Sequence, residues 1–186
     1  MNPFNLSITD VRYPARLREQ LGIHAPPHLT VLGSLEPLAL PKTALFCSSR
    51  CPGGAILSAY DQAQRWREEG RCVIGGFHSP IEKECLKILL RGRQPIIICP
   101  ARSIENMRLP KEWRDGIDNG RLLLLSAFPK NIRRPRAAFA DRRNQLVAAL
   151  TDEIVFFHIT PGGRMDKLCV QAETWGITMT APRQVP

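Results

Sequence analysis

Aromatic side chains are scarce in this sequence, at 6% of residues. A platform that stacks successive bases of a single strand is therefore not expected. No apolar run approaches the roughly 20 residues that cross a bilayer, so no membrane partner is expected. The stretch from Met1 to Ser7 lacks the basic-then-apolar layout of a secretory signal. The six cysteines, Cys47, Cys51, Cys72, Cys85, Cys99 and Cys169, are scattered and include no C-x-x-C pair. Cys72 and Cys99 sit within or beside apolar runs, as buried free thiols do. A reducing, cytoplasmic location is the expectation. Cys47 and Cys51 could open a zinc site, but no second pair stands at a fitting spacing. There is no G-x-G-x-x-G after a strand, no G-x-x-x-x-G-K-[ST] and no G-x-S-x-G. Nicotinamide, flavin, P-loop ATP and nucleophile-elbow chemistry are unsupported, and no cofactor is expected. Without an acidic cluster at metal-binding spacing, no nuclease is expected either.

What the sequence has in excess is positive charge. Lys and Arg number 26 against 17 acids, a net +9 over 186 residues, which favours a polyanionic partner. With 44% apolar residues the chain can bury a core. Short apolar runs at 43–47, 71–74, 95–99, 121–125 and 154–159 read as strands, with 29–33 at an edge or on a neighbouring pair and a last candidate at 177–180. Residues 1–12 read as a tail or a short first element, and 13–22 as a short helix. Helical stretches near 55–69, 81–90, 110–118, the last part of 139–152, and a run ending near 175 separate the strands. Continuous apolar strands alternating with helices predict an α/β fold, a mostly parallel sheet with helices on both faces. The expected organisation is an extension over 1–36 and one domain over 37–186.

Ligands of such sheets bind beyond the carboxyl ends of the strands. Small and polar residues gather there: Ser48, Ser49 and Arg50, then Gly75 and Gly76 with His78, then Ser126, then Gly162 and Gly163. Glycine admits close backbone approach, and N–H groups at helix starts attract anions. The same residues also make ordinary turns. The organising stretch is 121–152, a strand, a basic loop carrying Lys130, Arg133, Arg134 and Arg136, and a helix expected to start with Arg142 and Arg143. Arginines there oppose the macrodipole, which suggests an anion site. Arg143 is the first choice for a phosphate, and Asn144 is expected to hold the loop's backbone. The competing reading pairs Arg143 with Asp141 or Asp152 as a helix anchor. His78 could bond a phosphate, whereas His158 reads as a strand-end residue.

The run from Arg143 to Asp152 resembles the R-N-R-I-I-A-G-L-S-D segment of the DNA-processing protein A (DprA/Smf) family. Phe139 stands near that family's upstream Phe, and Leu124 to Pro129 is similar to its L-L-S-E-x-P strand end. Cys47 to Arg50 resembles its V-G-S-R turn, Val73 to Glu82 its V-S-G-L-A-x-G-I-D segment, and Tyr13 to Leu17 its Y-P-x-x-L. The order agrees over residues 13 to 181. The resemblance implies an extended Rossmann-like fold that binds single-stranded DNA and helps load RecA recombinase in recombination and transformation. It further implies a tendency to dimerise and no metal or organic cofactor. Departures are Gln145 for the third residue of R-N-R, Pro80 for a glycine, Glu82 for the acid and Cys85-Leu86 for the following A-H. Pro161 to Gly163 also resembles the start of P-G-G-x-G-T-x-x-E in the related lysine-decarboxylase-like (LOG) phosphoribohydrolases, which cleave nucleoside monophosphates. That motif stops at Met165 and Asp166, where G-T would stand, and its Glu has no counterpart. Nucleotide binding, LOG-like hydrolysis and nucleotide sensing remain as alternatives to DNA binding.

Overall fold

The computed structural model describes residues 2–48 and 51–180. Ser49, Arg50 and the tail after Thr180 lie outside the described residues. In chain order the elements are β1 (Phe4–Ser7), α1 (Ala15–Leu21), β2 (His28–Leu32), α2 (Glu36–Ala39), β3 (Lys42–Phe46) and α3 (Gly53–Glu68). Then follow β4 (Cys72–Gly75), α4 (Pro80–Leu90), β5 (Ile96–Ile98), α5 (Lys111–Asp118) and β6 (Leu122–Ser126). The chain continues through α6 (Ala137–Leu150), β7 (Glu153–Phe156), α7 (Arg164–Thr174) and β8 (Thr178–Thr180).

One eight-stranded sheet has the order β1-β2-β6-β5-β4-β3-β7-β8. From β6 to β8 every pair is parallel. β2 joins β6 antiparallel, and β1 joins β2 antiparallel. The five expected central runs share this sheet. Of the two places expected for the 28–32 strand, the edge or a neighbouring pair, it takes the second, because the stretch expected as a tail or a short first element supplies β1 outside it. The extension expected over 1–36 thus adds two strands to the same sheet.

The run of leucines in β6 shows why the strands are apolar throughout. Leu123 and Leu125 face one layer with Leu17 of α1, Leu146 and Val147 of α6 and Leu168 of α7. Leu122 and Leu124 face the other with Trp66 of α3, Leu86 and Leu89 of α4 and Ile117 of α5. Side chains alternate across a strand, so helices on both sheet faces demand apolar residues at every position. The four leucines are all 0% exposed.

Two boundaries differ from the sequence reading in ways that matter. The link between β2 and β3, where the sequence shows no helix, contains α2, with Pro37 in its first turn. More important, α6 begins at Ala137 with Arg136 as its cap residue, not at Arg142. Arg143 therefore lies nearly two turns inside the helix, beyond the reach of the macrodipole's end. What fixes the early start is apolar: the Phe128 and Phe139 rings pack 5.5 Å apart and hold the first turn of α6 against the end of β6.

Gly33 shows how tightly the antiparallel strand is joined on. Its φ is +118°, and a Cβ there would sit 2.5 Å from the Leu122 carbonyl oxygen. Gly33→Ala is expected to destabilise the fold by about 2 kcal/mol or more, since both strain and overlap are introduced. Urea denaturation measures this; an unchanged midpoint would show the strand to be loosely held.

Candidate functional site

The parallel strands run outward from β3 in two directions. β4, β5 and β6 extend one way; the chain then crosses back to place β7 on the other side of β3. This reversal makes a crevice at the carboxyl ends of β3 and β7, where open α/β sheets take their ligands. A cleft of about 550 Å³ opens there. Ser48 and Cys47 line it from the end of β3, and Thr160, Gly163, Arg164 and Met165 from the β7–α7 loop. His78, Ser79 and Glu82 come from the start of α4, and Asp141, Arg143 and Asn144 from α6. The ladder continues past the strands, with the Ser48 N–H donating to the His158 carbonyl at 3.2 Å.

Glu82 holds the cleft's loops together. Its Oε1 accepts from the Cys47 N–H at 3.3 Å. Its Oε2 accepts from the N–H groups of His78 at 2.9 Å and Ser79 at 3.2 Å. The Ser79 hydroxyl accepts in return from the Glu82 N–H, completing a capping box at the start of α4. The buried carboxylate thus ties the end of β3 to the loop after β4. That loop carries Phe77 at φ +46°, a conformation unfavourable for a bulky side chain and held by these bonds.

Arg143 faces this carboxylate. It is 4% exposed. Its Nε–H donates to Asn144 Oδ1 at 2.7 Å and its Nη1–H to the Cys99 carbonyl at 3.3 Å. Both acceptors are neutral, and among the described residues no carboxylate forms an ion pair with it. Burial pulls its pKa down, while the nearby Glu82 and Cys99 oppose the shift. Guanidinium remains cationic regardless. Burial also pushes the Cys99 thiol up to about 12, with Arg143 opposing. The anchoring alternative fails on partners: Asp152 pairs with Arg16 and Lys42, and Asp141 lies 3.5 Å from Arg164 Nε. Asn144 holds the Arg143 side chain rather than the loop's backbone.

The other expected residues divide by position. Ser48, His78, Arg143, Asn144 and Gly163 line the cleft. Gly76 lies beneath it, and a Cβ at that position would fall on the Arg143 guanidinium. Gly75 is buried in β4, its carbonyl accepting from the Cys99 N–H. Ser126 is buried and its hydroxyl donates to the Arg102 carbonyl at 2.7 Å. Gly162 has φ +71°, and its N–H donates to Asp166 Oδ2 at 2.8 Å. Arg133, Arg134 and Arg136 are exposed in the loop leading to α6 and do not line the cleft. Arg142 points to a different groove across α6, beside Leu21, Pro26 and Pro27. Of the residues the sequence reading missed, Glu82 carried a readable signal in its Ser79-x-x-Glu82 capping spacing. Thr160 and Arg164 carried none, since only the crossover brings them beside β3. No group of three or more metal-ligating side chains gathers among the described residues.

A doubly wound sheet with an added antiparallel pair, and a buried cation at its switch point, defines a Rossmann-like α/β protein with an anion-directed cleft. The chain belongs to the family of the DNA recombination-mediator protein A, whose model matches residues 5–161. Its fold is similar to that of DNA processing protein A from Streptococcus pneumoniae, with a TM-score of 0.78 at 22% identity. That match covers 96% of this chain and 62% of the pneumococcal one, so this chain spans under two thirds of that relative. DNA processing protein A from Helicobacter pylori, described for its unique single-stranded DNA binding mode, gives a TM-score of 0.74 at 17% identity. Here 96% of this chain and 80% of that one are covered. The molybdenum cofactor binding protein of Rippkaea orientalis shares the fold more distantly, with a TM-score of 0.53 at 11% identity over 76% of this chain and 75% of that one. None of the curated proteins matches the sequence.

The contact between Gly76 and Arg143 is open to a double-mutant cycle. Gly76→Ala alone should cost about 1–3 kcal/mol, because it forces the guanidinium off its acceptors. In an Arg143→Ala background the same change should be nearly neutral. Equal costs in both backgrounds, measured by urea denaturation, would show that the two residues are not coupled.

Proposed function

We propose that this protein binds single-stranded DNA through its phosphates, at the cleft between β3 and β7 and along the arginine loop beside it, and that it acts in DNA processing. One observation carries the reading: Arg143 is a buried cation lining the cleft that bonds only neutral acceptors. A buried cation without a direct ion pair is costly, and an incoming anion relieves that cost. The planar fork of arginine suits a phosphate in particular. Exposed Lys130, Arg133, Arg134 and Arg136 supply further charge on the approach, whereas Arg142 faces the groove across α6. Ser48, Ser49, Arg50, Gly76, His78, Asn144, Gly162 and Gly163 complete the proposed contacts, whereas Gly75 and Ser126 are buried in or at the end of their strands.

Family membership and the single-stranded DNA binding described for the H. pylori relative favour DNA over a free nucleotide. The resemblance to DprA proteins extends the reading to recombination and transformation, with strands passed to the RecA recombinase by a homodimer in the cytoplasm. No helix among the described residues is long and apolar enough to cross a membrane. A catalytic step is not part of the proposal. Both oxygens of Glu82 are bonded to backbone N–H groups, and Asp166 is occupied by Gly162.

Affinity for fluorescent oligo-dT at two salt concentrations tests the reading. Arg134→Ala should weaken binding and flatten the salt slope by about 0.7, the value of one phosphate contact on a single strand. Arg143→Ala should weaken binding by roughly tenfold or more, the loss of a charge-assisted contact. If both variants stay folded and bind unchanged, the cleft and its loop are not the DNA site. Incubation with nucleoside monophosphates should release no ribose 5-phosphate. Release that disappears in Gly163→Val would replace binding by LOG-like hydrolysis.

A further inference from the structure

We propose that Cys47 and Cys51 form a dithiol modification site, converted by a small disulfide such as oxidised glutathione into an intramolecular disulfide that weakens phosphate binding at the cleft. Formation of the bond stands on the geometry alone; its effect on binding rests on the function proposed above.

All six cysteines are free thiols. Cys72 and Cys85 donate to main-chain carbonyls, those of Pro37 and Ala59, and Cys169 faces the Met179 sulfur. Cys47 and Cys51 instead face each other, with their sulfurs 3.4 Å apart. Covalent closure to about 2.05 Å needs each sulfur to shift by well under 1 Å, within the reach of a side-chain rotation. The two thiols also differ in access. Cys47 is buried at the end of β3, whereas Cys51 is half-buried just before Pro52 and the start of α3. Burial and the neighbouring Cys51 push the Cys47 thiol far up. Cys51 is thus the thiol that meets a reagent from solvent, and Cys47 the one that resolves it.

The chemistry balances as thiol–disulfide exchange. Cys51 thiolate attacks one sulfur of the oxidant, the S–S bond breaks, and one glutathione thiolate leaves. Cys47, losing its proton to solvent, then attacks the Cys51 sulfur of the mixed disulfide and expels the second glutathione. The protein's two thiols are oxidised by two electrons and the oxidant is reduced to two thiols. The ring closed is short, so the bond constrains little of the unfolded chain and remains reducible.

The consequence for the cleft follows from what each cysteine touches. Cys47 lines it, and its N–H is held by the Glu82 carboxylate that also holds His78 and Ser79. Ser48, inside the ring, is tied to His158. Drawing the Cys47 sulfur onto Cys51 shifts the cleft wall at the point where Glu82 and His158 anchor it, and so disturbs the lining offered to a phosphate.

Purified protein is treated with oxidised glutathione, and Cys47 and Cys51 are read by peptide mass spectrometry after alkylation. The expected product is one disulfide linking them, with Cys72, Cys85, Cys99 and Cys169 still alkylated. Cys47→Ser should instead trap glutathione on Cys51. Wild-type protein that keeps both thiols, or retains glutathione on Cys51, overturns the site. Oligo-dT affinity should fall roughly tenfold on oxidation, return with dithiothreitol, and stay constant in Cys51→Ser. A disulfide that forms without changing affinity, in a protein whose Arg143→Ala variant does lose binding, overturns the control of the cleft. If Arg143→Ala also binds normally, the proposed DNA site fails while the disulfide stands.

Discussion

A single carboxylate, that of Glu82, organises the cleft. Three backbone N–H groups from two loops converge on it, from Cys47 on one side and His78 and Ser79 on the other. Backbone donors at the ends of parallel strands would otherwise need water or ligand. By satisfying three of them internally, Glu82 makes the floor rigid and leaves bound anions to the rim. The carboxylate also supplies the negative charge that makes a buried Arg143 tolerable without bonding it directly. Charge compensation through space keeps the guanidinium oriented yet not consumed, a state that a direct ion pair would remove.

The glycine at position 76 and the arginine at 143 are one device made by two distant stretches of chain. Position 76 must lack a side chain because the guanidinium occupies its place. Asn144 then fixes the arginine's Nε and the Cys99 carbonyl its Nη1. Two strands' ends and one helix thus share the task of holding a single cation. The exposed arginines of the neighbouring loop are of another kind. They are solvated, sequence-tolerant charges, suited to attracting a polyanion rather than to positioning it.

The sheet was legible because burial on both faces makes its strands apolar at every position, as the leucines of β6 show. β1 was not, because Phe4 to Ser7 is short, half polar and recognisable only by its partner β2. The start of α6 was misplaced because the signal was sought in charge, whereas the helix is started by the packing of Phe139 on Phe128. Arg143 could be singled out from its place in an ordered set of motifs. Its partners could not, since Cys99 lies 44 residues away and no spacing rule joins them. The basic loop and the cleft, which look like one mouth in sequence, are not one: the loop's arginines do not line the cleft, and α6, beginning earlier, turns Arg142 to its far side.

The crossover that creates the cleft also dictates when it can exist. β3 pairs with β4 soon after both are made, but its other neighbour, β7, comes much later, with Thr43 bonded to Glu153 across 110 residues of sequence. β2 likewise waits for β6 before it has a place in the sheet. During synthesis the helix bearing Arg143 and the loop bearing Gly163 emerge last among the parts of the cleft. A chain still on the ribosome therefore carries its loose basic charges before it carries the pocket, and competence for a specific ligand arrives only once β7 and the loop leading to α7 have been made.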